Sequence, residues 1–257
     1  MRNSLNRREF LSMALPFALS LPGYRYQFPR DHFAHPEFQT EWWYYTGNLR
    51  ASGQRFGFQL TFFRQAQQRA AAEEIWSAST IWMAHCALSD VAGQQFHHTQ
   101  RLNRSGPGLA GVDPSRGLVW NGNWQAGLSS LRVVEEAYSL ELVLEPRKQP
   151  VIHGREGVSQ KAAGAGRASH YISLSRIAAR GKLHYRGKDL SVEGLTWMDH
   201  EFFTHQLAPE QAGWDWFSVQ LQDNTELMLF RLRRKDGSAD PFSAGTDRKS
   251  TRLNSSH

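Results

Sequence analysis

The chain has 257 residues, 40% hydrophobic and 21% charged, enough for one large β domain or two of ordinary size and too apolar for wholesale disorder. Aromatic residues reach 12%, with nine Trp, which favours β structure or an apolar cavity. The formal charge is +6, but residues 1–23 and 247–257 each carry a net +2, so the body holds only +2 and gives no basis for nucleic-acid binding.

The chain opens with Asn6-Arg7-Arg8-Glu9-Phe10-Leu11, followed by a short apolar run that ends at Pro22-Gly23. A twin arginine, Phe-Leu just after it and an apolar run too short to span a bilayer predict a twin-arginine export signal over 1–23. The alternative is an amphipathic surface helix. Ala18-x-Ser20 is the best small-x-small pair for cleavage, and a periplasmic or secreted location follows. At the other end, residues 247–257 read codon by codon as the translation of a sequencing adapter. They are expected to be foreign, to make no packed contacts, and to leave the fold truncated near Thr246.

Between these ends, short aromatic and β-branched runs alternate with turn signals. Strands are predicted over 41–50 and 55–64, joined by Ser52-Gly53. In the second run Phe56, Phe58, Leu60 and Phe62 form one face, expected to pair with Trp43 and Tyr45. Further strands are predicted over 80–88, 118–124, 128–134 and 138–144, with Leu140, Leu142 and Leu144 on one side. The glycine- and proline-bearing stretch 147–168 reads as a linker. Strands resume over 169–176, 182–185, 190–197, 214–221 and 226–232. Two short helices are predicted, over 66–75 and 209–212. The pattern is all-β and suggests antiparallel barrels or sandwiches; about eight strands close a barrel that holds side chains or one small ligand.

Several motifs reduce to bland readings. Gly106-Pro107-Gly108-Leu109-Ala110-Gly111 fits a dinucleotide loop by letter but lacks a following helix. His200 and His205 are five apart, whereas a zinc-protease helix needs four, and metal binding by His85, His170, His200 and His205 has no support in spacing. Cys86 is the single cysteine, which excludes an internal disulfide framework, and it reads as a buried strand residue. No metal or other cofactor is expected.

Two clusters carry more. One is Thr40-Glu41-Trp42-Trp43-Tyr44. The other is Trp197-Met198-Asp199-His200-Glu201-Phe202 with Gly213-Trp214-Asp215-Trp216-Phe217. On a strand, Trp197, Asp199 and Glu201 share one face and Met198 and His200 the other. A carboxyl among aromatics, partly desolvated, holds its proton and can act as a general acid. Equally, Asp199 and His200 could be buried structural groups that hold two sheets together.

These stretches, with Ala84-His85-Cys86-Ala87-Leu88-Ser89-Asp90, resemble the carotenoid 1,2-hydratase or AttH-type lipocalin-like family, also called predicted secreted hydrolases, over roughly 26–245. The resemblance implies two tandem lipocalin-like barrels, here 26–146 and an incomplete 169–246. It implies addition of water to a long apolar substrate without a cofactor, by hydration of a double bond or by hydrolysis. Asp199 would be the acid, with His170 or His200 positioning water, and Trp43, Trp197, Trp214 and Trp216 would contact substrate. The hydratases carry Tyr where Trp197 stands, so the carotenoid itself does not carry over. The alternative is a non-catalytic periplasmic carrier of lipid or another apolar ligand, serving a membrane permease.

Overall fold

The computed structural model describes residues 16–67 and 79–248. It is built of β1 (Thr40–Ala51), β2 (Gln54–Ala66), β3 (Thr80–Asp90), β4 (Gln95–Arg104), β5 (Ala110–Asp113), β6 (Leu118–Asn121), β7 (Trp124–Gly127) and β8 (Ser130–Val134). These are followed by β9 (Tyr138–Pro146), β10 (Val151–Ile152), β11 (Ser159–Gln160), β12 (Ala168–Tyr185), β13 (Lys188–Phe203), β14 (Gln211–Gln220), β15 (Glu226–Arg234) and β16 (Ala244–Arg248). A 3-10 turn at Arg30–His32 is the sole helical element among the described residues.

Alternation builds the first sheet. Trp43 lies opposite Phe62, Tyr45 opposite Leu60 and Leu49 opposite Phe56. All six are buried in one core with Phe58, so the expected apolar face is the barrel interior. Each such side chain gains roughly 1.5–3 kcal/mol on burial. Gly47, paired with Phe58, must lack a side chain: a Cβ there would come within 2.5 Å of the Phe58 ring.

The strand order is β4-β3-β2-β1-β13-β12-β9-β8-β7-β6-β5, antiparallel throughout, with β10 and β11 added along β12. The sheet curls until its ends meet. Asn103 Nδ2 donates to Asn121 Oδ1 at 2.6 Å and Arg101 Nη2 to Glu135 Oε1 at 2.6 Å, so side chains, not a backbone ladder, bridge the gap. The result is a nearly closed barrel. Its interior is filled by side chains; a cavity beside Trp43 and Tyr45 measures about 10 Å³, room for one water.

A second sheet, β14-β15-β16, lies on the outer face of β12 and β13. Gln220 Nε2 donates to the Ser175 carbonyl at 2.7 Å and to that of Thr196 at 3.2 Å. The buried Glu226 accepts from Arg176 Nε at 2.5 Å and from Lys148 Nζ at 2.7 Å. Tyr171, Trp197, Met228, Phe230 and Leu232 make a small core between the sheets.

Several boundaries differ from the expected ones. The first sheet does not end at 146: β12 pairs with β9, and β13 pairs with β1 from Glu193 to Phe203, so residues 168–203 complete the barrel as one long hairpin. A bulge between Leu174 and Ile177 breaks the alternation there, and small residues follow it, which is why the strand reads as two short ones. At Gly181 the partner backbone comes so close that a Cβ would sit 1.9 Å from the Glu141 carbonyl oxygen.

Residues 147–168 are no free linker. They wrap onto β12 through β10 and β11 and bury His153, Ser159 and Lys161. The helix expected over 209–212 is a turn into β14, since four residues cannot repay helix nucleation. That over 66–75 lies almost wholly outside the described residues; Ala66 ends β2. At the C-terminal side β16 runs through Asp247 and Arg248, past the expected boundary at 246, because a backbone ladder to β15 needs no particular side chain. Residues 249–257 lie outside the described residues, as do 1–15. Within the expected export segment, the Ala18 amide donates to the Glu37 carbonyl at 2.8 Å and Ser20 is buried beside Gly166.

Candidate functional site

The β12–β13 pairing decides which groups meet. Tyr171 faces Glu201 and Ser173 faces Asp199, while Ile172 faces His200 and His170 faces Phe202. Tyr171, Ser173, Trp197, Asp199 and Glu201 therefore share the outer face, under the second sheet. His170, Met198 and His200 lie on the other face.

Asp199 is 3% exposed and held by three donors. Trp197 Nε1 donates to Oδ1 at 2.6 Å, the Tyr171 hydroxyl bonds Oδ2 at 2.7 Å, and Ser173 Oγ bonds Oδ1. Burial pushes the carboxyl up to about 7, against the lowering effect of these three bonds and with help from the nearby Glu201 charge. Tyr171 in turn accepts from Trp216 Nε1 at 3.0 Å. The phenol itself is raised well above its ordinary value, by burial first and then by the neighbouring Asp199.

Beyond Ser173 stands a histidine that reading the residues in sequence did not single out. Ser173 Oγ is 2.7 Å from His153 Nε2, and His153 Nδ1 is 2.9 Å from Thr246 Oγ1. Burial, with the nearby Lys161 charge, pushes His153 down to about 3. Lys161 is buried too, its Nζ 3.7 Å from the Phe230 ring centroid and 3.9 Å from Glu201 Oε2. Burial lowers that amine against the pull of Glu201 and Asp199. Glu201, pushed up by burial, accepts from Ser169 Oγ at 2.5 Å.

Two hollows adjoin this cluster. Tyr171, Trp214, Trp216, Phe230 and Leu232 line an aromatic pocket of about 20 Å³ with Lys161 and Glu201. His153, Thr246, Met228, Phe230 and Phe242 line an open cleft of about 290 Å³. Phe230 borders both. A larger groove of about 370 Å³, lined by Arg50, Glu145, Arg147, Arg180 and Glu193, shares no residue with the Asp199 cluster.

The other face carries a separate buried network. Glu41 Oε1 is 2.7 Å from His35 Nδ1 and 2.8 Å from His200 Nε2, and Arg64 Nε donates to Oε2 at 3.1 Å. The two imidazoles and the guanidinium overcome the burial penalty and hold the Glu41 carboxyl well below the usual range. His200 Nδ1 donates to the Asp31 carbonyl at 3.1 Å, and its ring stacks on Trp43. The metal-reaching group found among the described residues is His35, Glu41 and His200. Their donor atoms are committed to one another and to Arg64, so the arrangement is an ion network that pins residues 31–41 to the barrel, not a metal seat.

Of the expected site residues, Asp199, Trp197 and Trp216 come together. His200 does not join them, because adjacent residues on a strand point to opposite faces. His170 lies with His200's face, bonded from Nδ1 to the Gly157 carbonyl at 3.0 Å and packed on Phe202. It is not within reach of Asp199. Trp214 stacks on Trp42 at the rim, 6.0 Å between centroids, and Trp43 belongs to the barrel core. Tyr171 and Ser173 were legible in principle, since they alternate along β12 opposite Asp199. His153 carried no signal, since it sits in a stretch that reads as a linker.

A candidate AttH from Nitrosomonas europaea shares 32% identity with this chain, over 91% of this chain and 75% of its own, with a TM-score of 0.76. Kievitone hydratase from Nectria haematococca has the same lipocalin-like fold at 13% identity, with a TM-score of 0.59 over 91% of this chain and 71% of its own. No protein of curated function matches. The AttH-like family model matches residues 20–254, with the Asp199 strand and both sheets inside that span, and the chain belongs to the AttH-like family.

Proposed function

We propose that this chain is an exported enzyme that adds water to an apolar substrate, by hydration of a double bond or by hydrolysis, at the aromatic hollow between the two sheets, which measures about 20 Å³ and must open to admit it. The observation that carries this reading is a carboxyl held near neutrality behind an aromatic pocket. Burial raises the Asp199 carboxyl toward neutrality, the range in which a general acid–base group works best. Its contact with the pocket runs through Tyr171, whose hydroxyl bonds Asp199 and whose ring lines the wall.

In a hydration, Asp199 passes its proton through the Tyr171 hydroxyl to the substrate carbon in one concerted step, so no buried phenolate forms. Water then captures the cation, and the proton that water loses returns to the Asp199–Tyr171 pair, so protons balance over the cycle. Tyr171, Trp214 and Trp216 present ring faces that stabilise a cation. Hydration is placed first by analogy with kievitone hydratase, which shares the fold. Export rests on the Arg7-Arg8 signal pattern, and a permease partner rests on the family resemblance.

The test is Asp199→Asn, screened against unsaturated and ester-bearing apolar compounds. Turnover is expected to fall by about 10²–10⁴-fold while folding and ligand binding survive. Retained turnover overturns the acid role. Binding without turnover by the unaltered chain would make the protein a carrier.

A further inference from the structure

Asp199 is sealed from solvent, so its proton must travel. From Oδ1, the oxygen that Tyr171 does not bind, four groups stand in a row: the Asp199 carboxyl, Ser173 Oγ, the His153 ring and Thr246 Oγ1. The last two line the open cleft of about 290 Å³.

The hydrogen bonds in this row have two self-consistent directions. With Asp199 ionised, Ser173 donates to it, His153 Nε2–H donates to Ser173, and Thr246 donates to His153 Nδ1. With Asp199 protonated, every bond reverses: Asp199 donates to Ser173, Ser173 to Nε2, and Nδ1–H to Thr246. Trp197 Nε1 donates to Asp199 in both states, since it has no other option, and Trp216 donates to the Tyr171 oxygen, which leaves the Tyr171 proton to serve Asp199 or the pocket. The row toward the cleft turns over as a unit.

We propose that Ser173, His153 and Thr246 form a proton wire that recharges Asp199 from the cleft. The transfer balances. Ser173 gives its proton to Asp199, His153 gives its Nε2 proton to Ser173, Thr246 gives its hydroxyl proton to Nδ1, and a hydronium ion in the cleft restores the Thr246 proton and is left as water. No group gains or loses charge except Asp199, and His153 changes tautomer. A neutral imidazole is what this requires. The buried His153 is neutral at ordinary pH, with Lys161 as its charged neighbour and Glu201 balancing that lysine. The wire separates two tasks: substrate meets Tyr171 and Trp216 on one side of Phe230, and protons enter on the other.

This inference rests on Asp199 being the functional carboxyl, but its test uses no substrate. Infrared spectroscopy after a pH jump follows the protonated carboxyl band, assigned by its loss in Asp199→Asn. In His153→Gln an amide fills the place of the ring and can hydrogen-bond at both ends but cannot exchange tautomers. Compared at equal distance from each variant's own midpoint, protonation of Asp199 is expected to slow about 10²-fold or more. Ser173→Ala is expected to do the same, and Ser173→Thr, which keeps the hydroxyl, to restore the rate. Protonation as fast as in the unaltered chain, in either His153→Gln or Ser173→Ala, overturns the wire. If His153→Gln does not fold, the Ser173 pair decides. Turnover retained by Asp199→Asn would fail the enzyme reading and leave the wire measurement standing.

Discussion

Asp199 and His200 are neighbours in sequence and work on opposite faces of β13. Asp199 binds Ser173 and Tyr171 beneath the second sheet, whereas His200 stacks on Trp43 on the barrel side, 4.8 Å between ring centroids. Each belongs to a buried polar cluster, and the central carboxyls of the two clusters, Asp199 and Glu41, respond to pH in opposite senses.

The Asp199 carboxyl is raised from 3.8 to about 7 by burial. Between these values the folded chain binds more protons than the unfolded one, so this group's stability is fully present below its unfolded pKa and is lost as pH rises to about 7. Asp199→Asn removes that loss. Its melting temperature is expected to gain on the unaltered chain between pH 4 and pH 8. An equal gap at both pH values would show that the carboxyl is ionised throughout.

Glu41 is held below its ordinary 4.5 by His35, His200 and Arg64, so its contribution is present above that value and is lost as pH falls through the folded pKa. His35 is raised above 6.5, chiefly by Glu41 and against burial, so its contribution is present below 6.5 and is lost as pH rises through the folded pKa. Glu41→Gln takes the carboxylate from the buried Arg64 and leaves His35 with its longer contact to Asp31. Urea unfolding at pH 6 should show a loss of about 3–5 kcal/mol.

Phe58→Ala, in the barrel core, is expected to cost about 3–5 kcal/mol, and Leu60→Ala about 2–5 kcal/mol. Thermal unfolding checks both. An unchanged melting temperature would place this face outside the core.

Cys86 is buried, with its Sγ 3.0 Å from the Tyr138 hydroxyl, and burial pushes the thiol up to about 11. The thiolate is the reactive form, so a thiol reagent at pH 8 should leave the native chain untouched and modify it fully in denaturant. Fast labelling of the native chain would show that β3 opens there.

Alternation alone determined the all-β fold, the barrel core around Phe56, Phe58, Leu60 and Phe62, and the separation of Asp199 from His200, because period-two side-chain direction is a local property of the strand. The domain boundary was not local. Whether residues 168–203 begin a second barrel or finish the first depends on which backbone edges they meet, and β1, some 150 residues earlier, supplies one of them. The same holds for the site. His170 carries the right chemistry and lies on the wrong face, because the β12–β13 register puts it beside Phe202. His153 lies in a stretch with few large apolar residues, and only its wrapping onto β12 brings it to Ser173. Register and long-range pairing are set by the whole sheet's packing, and no window of sequence contains them.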